Sequence, residues 1–187
     1  MFSSNFNPIQ PLPLTLVTSG LIIQGVVRAR IRRLGELMND AESEHLVLED
    51  ARFVEIGSHR ILGNAGTAQV ARSDVLMVHT TTETEGSGEL RTSKQPIRAT
   101  LLAPPFTIEG MIHLAYESEI HVSLHSLTEP WVAVTGARYW AYGVAEEPVT
   151  TDLLVVNHAR AHVVIARGVE WRPASESAAP RHTPNPW

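Results

Sequence analysis

The feature that most constrains this chain is an internal repeat. The stretch LTLVTSGLIIQGVV from Leu14 recurs as ATLLAPPFTIEGMI from Ala99. Thr15 falls on Thr100, Ile23 on Ile108 and Gly25 on Gly110, an offset of 85 (100 − 15). Further along, LVLEDARFVEIG from Leu46 falls on VAVTGARYWAYG from Val132. Ala51-Arg52-Phe53 then meets Ala137-Arg138-Tyr139, and Gly57 meets Gly143, an offset of 86 (137 − 51). One inserted residue between the blocks accounts for the change. Each copy closes on an apolar run, Val75–Val78 in the first and Val163–Ile165 in the second. Ordered blocks at a nearly constant offset mean that one small unit is built twice.

The repeat sets the domain organisation. The 187 residues divide into a first domain over 14–80 and a second over 97–168. Residues 81–96, rich in Thr, Ser and Gly, read as a flexible linker. Residues 1–13 and the Pro-rich 169–187 read as disordered tails, because Pro removes ladder donors.

Within each copy the pattern predicts an all-β unit. Leu14–Thr18 and Leu21–Ile31 flank Ser19-Gly20, a hairpin signal, and Pro104-Pro105 bends the second copy at the same place. A third strand carries Leu46, Leu48 and Ala51; Ile61-Leu62, Thr67–Ala71 and Val75–Val78 complete the set. Gly63-Asn64-Ala65-Gly66-Thr67 reads as a hairpin turn, since it lacks the Lys and the strand–helix setting of a phosphate loop. Apolar spacing in Arg33–Met38, and in its counterpart Glu119–Leu124, predicts a short helix or turn between strands two and three.

The run SGLIIQGVV…HLVLEDA followed by ILGNAGTAQVARSDVLMV resembles the Sm-like (LSm/Hfq-type) fold, nearly end to end in each copy. The resemblance implies two tandem five-stranded open barrels, as in uncharacterised bacterial proteins of this type. A strand that bends to close a small barrel needs a position without a Cβ, which fits Gly25 and Gly110. The RNA-binding signature of that family does not carry over. Its Asn position holds His45 and Trp131, and its Arg-Gly pair reads Ala71-Arg72 and Asn157-His158. The loop between strands two and three is also longer than usual.

Composition narrows the function. There is no cysteine, so disulfides, thiolate metal sites and a cysteine nucleophile are excluded. No apolar run approaches the length that spans a bilayer, and Met1–Asn5 has no secretory pattern, which fits a cytoplasmic location. A net charge of −5 argues against a dedicated nucleic-acid binder.

Arg28, Arg30 and Arg32 alternate along strand two and, with Arg33, form a basic stripe for an anion or phosphate, or else a solvated strand face. The second copy has His113, Ala115 and Glu117 there. Arg52 and Arg138 recur in both copies, as structural residues or as a shared binding pocket. His121/His125 and His158/His162 are spaced by four but lack an evident third ligand, so no metal is expected. Trp131 and Trp140 read as core or as partner contacts, and Trp187 as part of a docking peptide. No catalytic constellation and no cofactor motif is present. The expectation is a non-enzymatic scaffold or regulatory module, with protein partners or ring-like homo-oligomers. The alternative is a nucleic-acid or anion-binding module using Arg28–Arg33.

Overall fold

A computed structural model describes residues 9–30, 33–40, 43–81, 94–115, 120–125, 127–142 and 147–164. The first copy contains β1 (Gln10–Val17), β2 (Leu21–Ala29), α1 (Leu34–Asn39), β3 (His45–Glu55), β4 (Ile61–Ala71) and β5 (Met77–His79). The second contains β6 (Lys94–Ala103), β7 (Phe106–Ala115), α2 (Ile120–His125), β8 (Trp131–Ala141), β9 (Val149–Asn157) and β10 (His162–Val164). A single 3-10 turn, Arg72–Asp74 or His158–Arg160, precedes the last strand of each copy. The expected all-β class holds, as does a short helix after the second strand.

All ten strands form one antiparallel sheet in the order β10-β6-β7-β8-β9-β5-β1-β2-β3-β4. Each copy contributes the same internal order, with its last strand beside its first. The copies meet where β9 of the second pairs with β5 of the first. β4 and β10 are the two outer strands.

The bend in each copy comes at a bulge in its third strand, where two residues face one of the second strand. Register shifts between Gln24 and Val26 opposite β3, and between Glu109 and Met111 opposite β8. The residue facing each bulge, opposite Asp50-Ala51 or Gly136-Ala137, is the glycine singled out by the repeat. A Cβ on Gly25 would lie 2.9 Å from Leu48 Cδ2 and 3.0 Å from the Glu49 carbonyl oxygen. A Cβ on Gly110 would run into Val134 Cγ1. Each bulge itself contains a left-handed residue at the same repeat position, Asp50 (φ 49°) in β3 and Gly136 (φ 55°) in β8.

Alternation along the strands then builds two cores that exchange residues. The first gathers Leu14, Leu16, Leu34, Met38 and Leu48 of the first copy, and takes Trp131 and Val155 from the second. The other gathers Leu101, Ile108, Ile112 and Val134, and takes Val17, Leu76 and Met77 from the first copy. Each fully buried side chain of this size contributes roughly 1.5–3 kcal/mol. Neither core is complete without the other copy.

Three expectations need correction. Residues 10–13 are not tail but the first half of β1, paired with Val26–Ala29. Pro11 and Pro13 are tolerated because their nitrogens face the side that β5, pairing only Thr15–Val17, does not reach. On that side the Pro13 carbonyl accepts a hydrogen bond from Thr80 Oγ1 at 2.7 Å. By the same logic Lys94–Pro96 belong to β6 rather than to the linker, with Pro96 opposite His113. Finally, Gly63–Thr67 is no turn. It runs through the middle of β4, with Gly63 opposite Phe53, Ala65 opposite Ala51 and Thr67 opposite Glu49.

Candidate functional site

The most elaborate polar arrangement lies at the seam between the copies. Met77 pairs with Val156 and Val78 with Val155. The ladder continues through the Asn157 N–H, which donates to the Leu76 carbonyl at 2.9 Å, while the Leu76 N–H donates to Val17 at 2.8 Å. Side chains of the second copy then grip main-chain carbonyls of the first. Asn157 Nδ2 donates to Val75 at 3.2 Å, and the Arg160 guanidinium donates to Ser73 at 2.6 Å.

In return Asn39, at the end of α1, closes a two-way bond on the start of β8. Its Nδ2 donates to the Trp131 carbonyl at 3.0 Å, and its Oδ1 accepts from the Trp131 N–H at 3.0 Å. Tyr139 and His79 meet across the same seam, Oη to Nε2 at 3.3 Å. Burial pushes the Tyr139 phenol up to about 12 and pushes His79 below its ordinary value. A neutral pair bridging two strands is the outcome. These groups are spent on joining one copy to the other.

The two outer strands present the same repeat positions without a partner strand among the described residues. On β4 the end of the strand carries exposed Gln69 beside buried Val70 and half-buried Ala71. On β10 the described residues are exposed His162 and half-buried Val163, with His125 exposed at the end of α2.

The basic stripe is partly neutralised. Arg28 and Arg30 are both exposed, as period two requires, and Arg32 lies outside the described residues. Arg28 donates its Nε to both Glu49 oxygens, at 2.8 and 3.0 Å. That hydrogen bond raises the Arg28 pKa and holds the Glu49 carboxyl below its ordinary range. Arg33 lies 4.0 Å from Glu36. Arg30 carries an interaction of its own. A carboxylate thus stands beside Arg28 and beside Arg33.

The repeated arginines differ in setting. Arg138 lies opposite Glu109, Nε to Oε2 at 3.6 Å, with its guanidinium 5.3 Å from the Trp140 ring centre. Arg52 lies opposite Gln24 and is exposed, and its side chain makes no hydrogen bond or ion pair among the described residues. They share a register position but differ in neighbours, Gln24 for Arg52 against Glu109 and Trp140 for Arg138. Trp131 and Trp140 are 5% and 7% exposed, so neither offers an open face to another chain. Trp131 serves the first copy's core instead. Trp187 lies outside the described residues, as does the side chain of His121. His158 Nε2 is 2.6 Å from the Glu129 carbonyl, and among the described residues no three His, Asp or Glu side chains gather as metal ligands would.

The seam residues that reading by motif missed, Asn39, Asn157 and Arg160, are single polar residues with no pattern around them. No helix among the described residues is long and apolar enough to cross a membrane. Comparison with family models, with curated proteins and with solved structures finds no match for this chain.

Proposed function

We propose that this chain is a non-enzymatic scaffold, a pair of Sm-like units that works in the cytoplasm through protein–protein contacts and joins further copies of itself into a ring. One observation carries the reading: the internal seam unites the fourth strand of one unit with the fifth strand of the other, and the chain leaves the complementary strands, β4 and β10, at its two ends. A head-to-tail contact repeated from chain to chain closes into a ring when its rotation permits. Unpaired edges also favour this reading, because an outer strand otherwise leaves half of its ladder groups to water.

The test is the mass of the full chain in solution at micromolar concentration, by light scattering. A mass that is a multiple of the 20.6 kDa chain is expected, three chains giving a ring of six units. A mass of one chain over the whole micromolar range removes the proposal. Retention on a polyanion column at low salt, lost in Arg28→Ser with Arg30→Ser, would favour an anion-binding role instead.

A further inference from the structure

Each outer strand is held by its own copy as its counterpart at the seam is held. β4 lies on β3 as β9 lies on β8: Leu46–Val70 and His45–Ala71 repeat Val132–Val156 and Trp131–Asn157, an offset of 86 (156 − 70). β10 lies on β6 as β5 lies on β1: Leu102–His162 repeats Val17–Met77, an offset of 85 (162 − 77). At the seam Val156 faces Met77, Val155 faces Val78, and the Asn157 N–H donates to the Leu76 carbonyl. Carried to the outer strands, this register sets Val70 opposite His162 and Gln69 opposite Val163, with the Ala71 N–H aimed at the Ala161 carbonyl. The ladder groups it needs on β4 point the right way. Arg72 donates its N–H to Glu44 on the β3 side, so alternation turns the backbone groups of Ala71 and Gln69 away from β3.

We infer that a second copy of this chain pairs its β10 with β4 in this register and seats His162 against the first core, an inference that rests on the assembly proposed above. Met77 makes the same step inside the chain: it belongs to the first copy, yet it is fully buried in the second core together with Val156. His162 holds that position on β10 and is exposed, while Val70, which it would face, is a buried member of the first core. On the other face Val163 already packs against the second core, and Gln69 of the next copy would join it there as Val155 joins Val78 in the first core. The contact rests on the ladder and these side chains, because the polar clasps of the seam have no counterpart. Ala71 and Asp74 stand where Asn157 and Arg160 do. At His45, the counterpart of Trp131, Ser43 Oγ already accepts from the N–H at 3.2 Å and donates to the carbonyl at 2.7 Å. With an imidazole for a thioether and Gln for Val, the junction is weaker than the seam.

The chain has no cysteine, so introduced thiols report one contact at a time. Val70 and His162 would form a non-hydrogen-bonded pair, next to the bonded Ala71–Ala161 step, and such pairs bring Cβ atoms within disulfide reach. Full-length Val70→Cys mixed with full-length His162→Cys and oxidised at micromolar concentration is expected to give a disulfide-linked pair of chains that neither variant gives alone. Gln69→Cys mixed with His162→Cys is expected to give at least about tenfold less, because a slip of one residue turns the thiols to opposite faces. Amide exchange of the wild type needs no substitution: the Gln69, Ala71 and Val163 N–H groups should slow about tenfold or more as concentration rises and chains assemble. His162→Met restores the residue of the seam and should lower the apparent dissociation constant about tenfold or more. Assembly that leaves these three amides unprotected, or that links the Gln69 pair in preference to the Val70 pair, overturns the register while leaving the scaffold reading intact. An apparent dissociation constant that His162→Met does not lower overturns the seating of His162 against the first core. No assembly of the wild type at any micromolar concentration overturns the scaffold reading and this inference with it.

Discussion

The seam inside the chain and the edges at its ends occupy the same positions of one repeated unit, yet they are built differently. Where β9 meets β5 the strand ends in Leu153-Leu154-Val155-Val156-Asn157, and Leu154, Val155 and Val156 are fully buried. At the same positions β4 ends in Thr67-Ala68-Gln69-Val70-Ala71, with Gln69 exposed. Facing them, Leu76-Met77-Val78 at the seam becomes Ala161-His162-Val163 at the outer edge. A contact that never has to open is built as core. The outer edges instead carry smaller side chains with polar Gln69 and His162 exposed among them, which would keep any contact they make reversible.

The largest effect that tests this difference is at Trp131. Trp131→Ala should cost about 3–5 kcal/mol of unfolding free energy, as large aromatic deletions in a core do. Its counterpart His45→Ala, half-buried at the outer edge, should cost less than about 0.5 kcal/mol in the isolated chain. Urea unfolding followed by circular dichroism measures both, and equal costs would erase the distinction between seam and edge. Next comes Asn157→Ala, which strips the Val75 carbonyl of its donor and should cost about 1–3 kcal/mol. The value should lie near the lower end, because Asn157 Oδ1 has no partner to lose. Ala71→Asn should leave the stability of the isolated chain unchanged, since no strand among the described residues covers that edge.

Much of this architecture was legible because the duplication supplied a second reading of every strand. Gly25 and Gly110 marked the bend, and apolar residues at helical spacing marked both short helices. The errors arose where one copy was read alone. Gly63-Asn64-Ala65-Gly66 has the residues of a turn, but its counterpart Val149-Thr150-Thr151-Asp152 opens with strand formers. Reading the two together places both stretches in strands. Pro11 and Pro13 suggested a tail because residue type alone does not tell which side of a strand lacks a partner. The seam clasps were illegible for a different reason. Asn39, Asn157 and Arg160 act on backbone carbonyls far away in sequence, and only the pairing of β9 with β5 brings them together.

The left-handed positions inside the bulges lie away from the seam, so here the two copies should respond alike. Gly136→Ala should cost about 1–2 kcal/mol, the usual penalty for a Cβ in that region. Open space surrounds Gly136, so the cost is purely one of backbone conformation. Asp50→Gly should bring a gain of up to about 1 kcal/mol, because the greater freedom of glycine when unfolded offsets part of the relief. Opposite signs at two equivalent sites would show that the copies share a backbone and differ only in how well each residue suits it. A loss on Asp50→Gly would mean that the aspartate side chain holds the bulge.

The smallest effect is read as a slope with pH. Burial at the seam holds His79 below its ordinary value of 6.5, so the folded chain resists protonation where the unfolded chain accepts it. The stability this represents is fully present above about 6.5 and is lost as pH falls from there through the folded value. His113, shifted the same way by burial and by nearby Lys94, adds a slope of the same sign from outside the seam. Tyr139 stays a neutral phenol throughout this window and adds none. His79→Gln should therefore flatten the fall of melting temperature between about pH 7 and pH 5 without abolishing it, leaving the part due to His113. An unchanged slope in that variant would mean that the seam already opens to water at His79. The contrast between a dry internal junction and wet outer edges would then be one of degree.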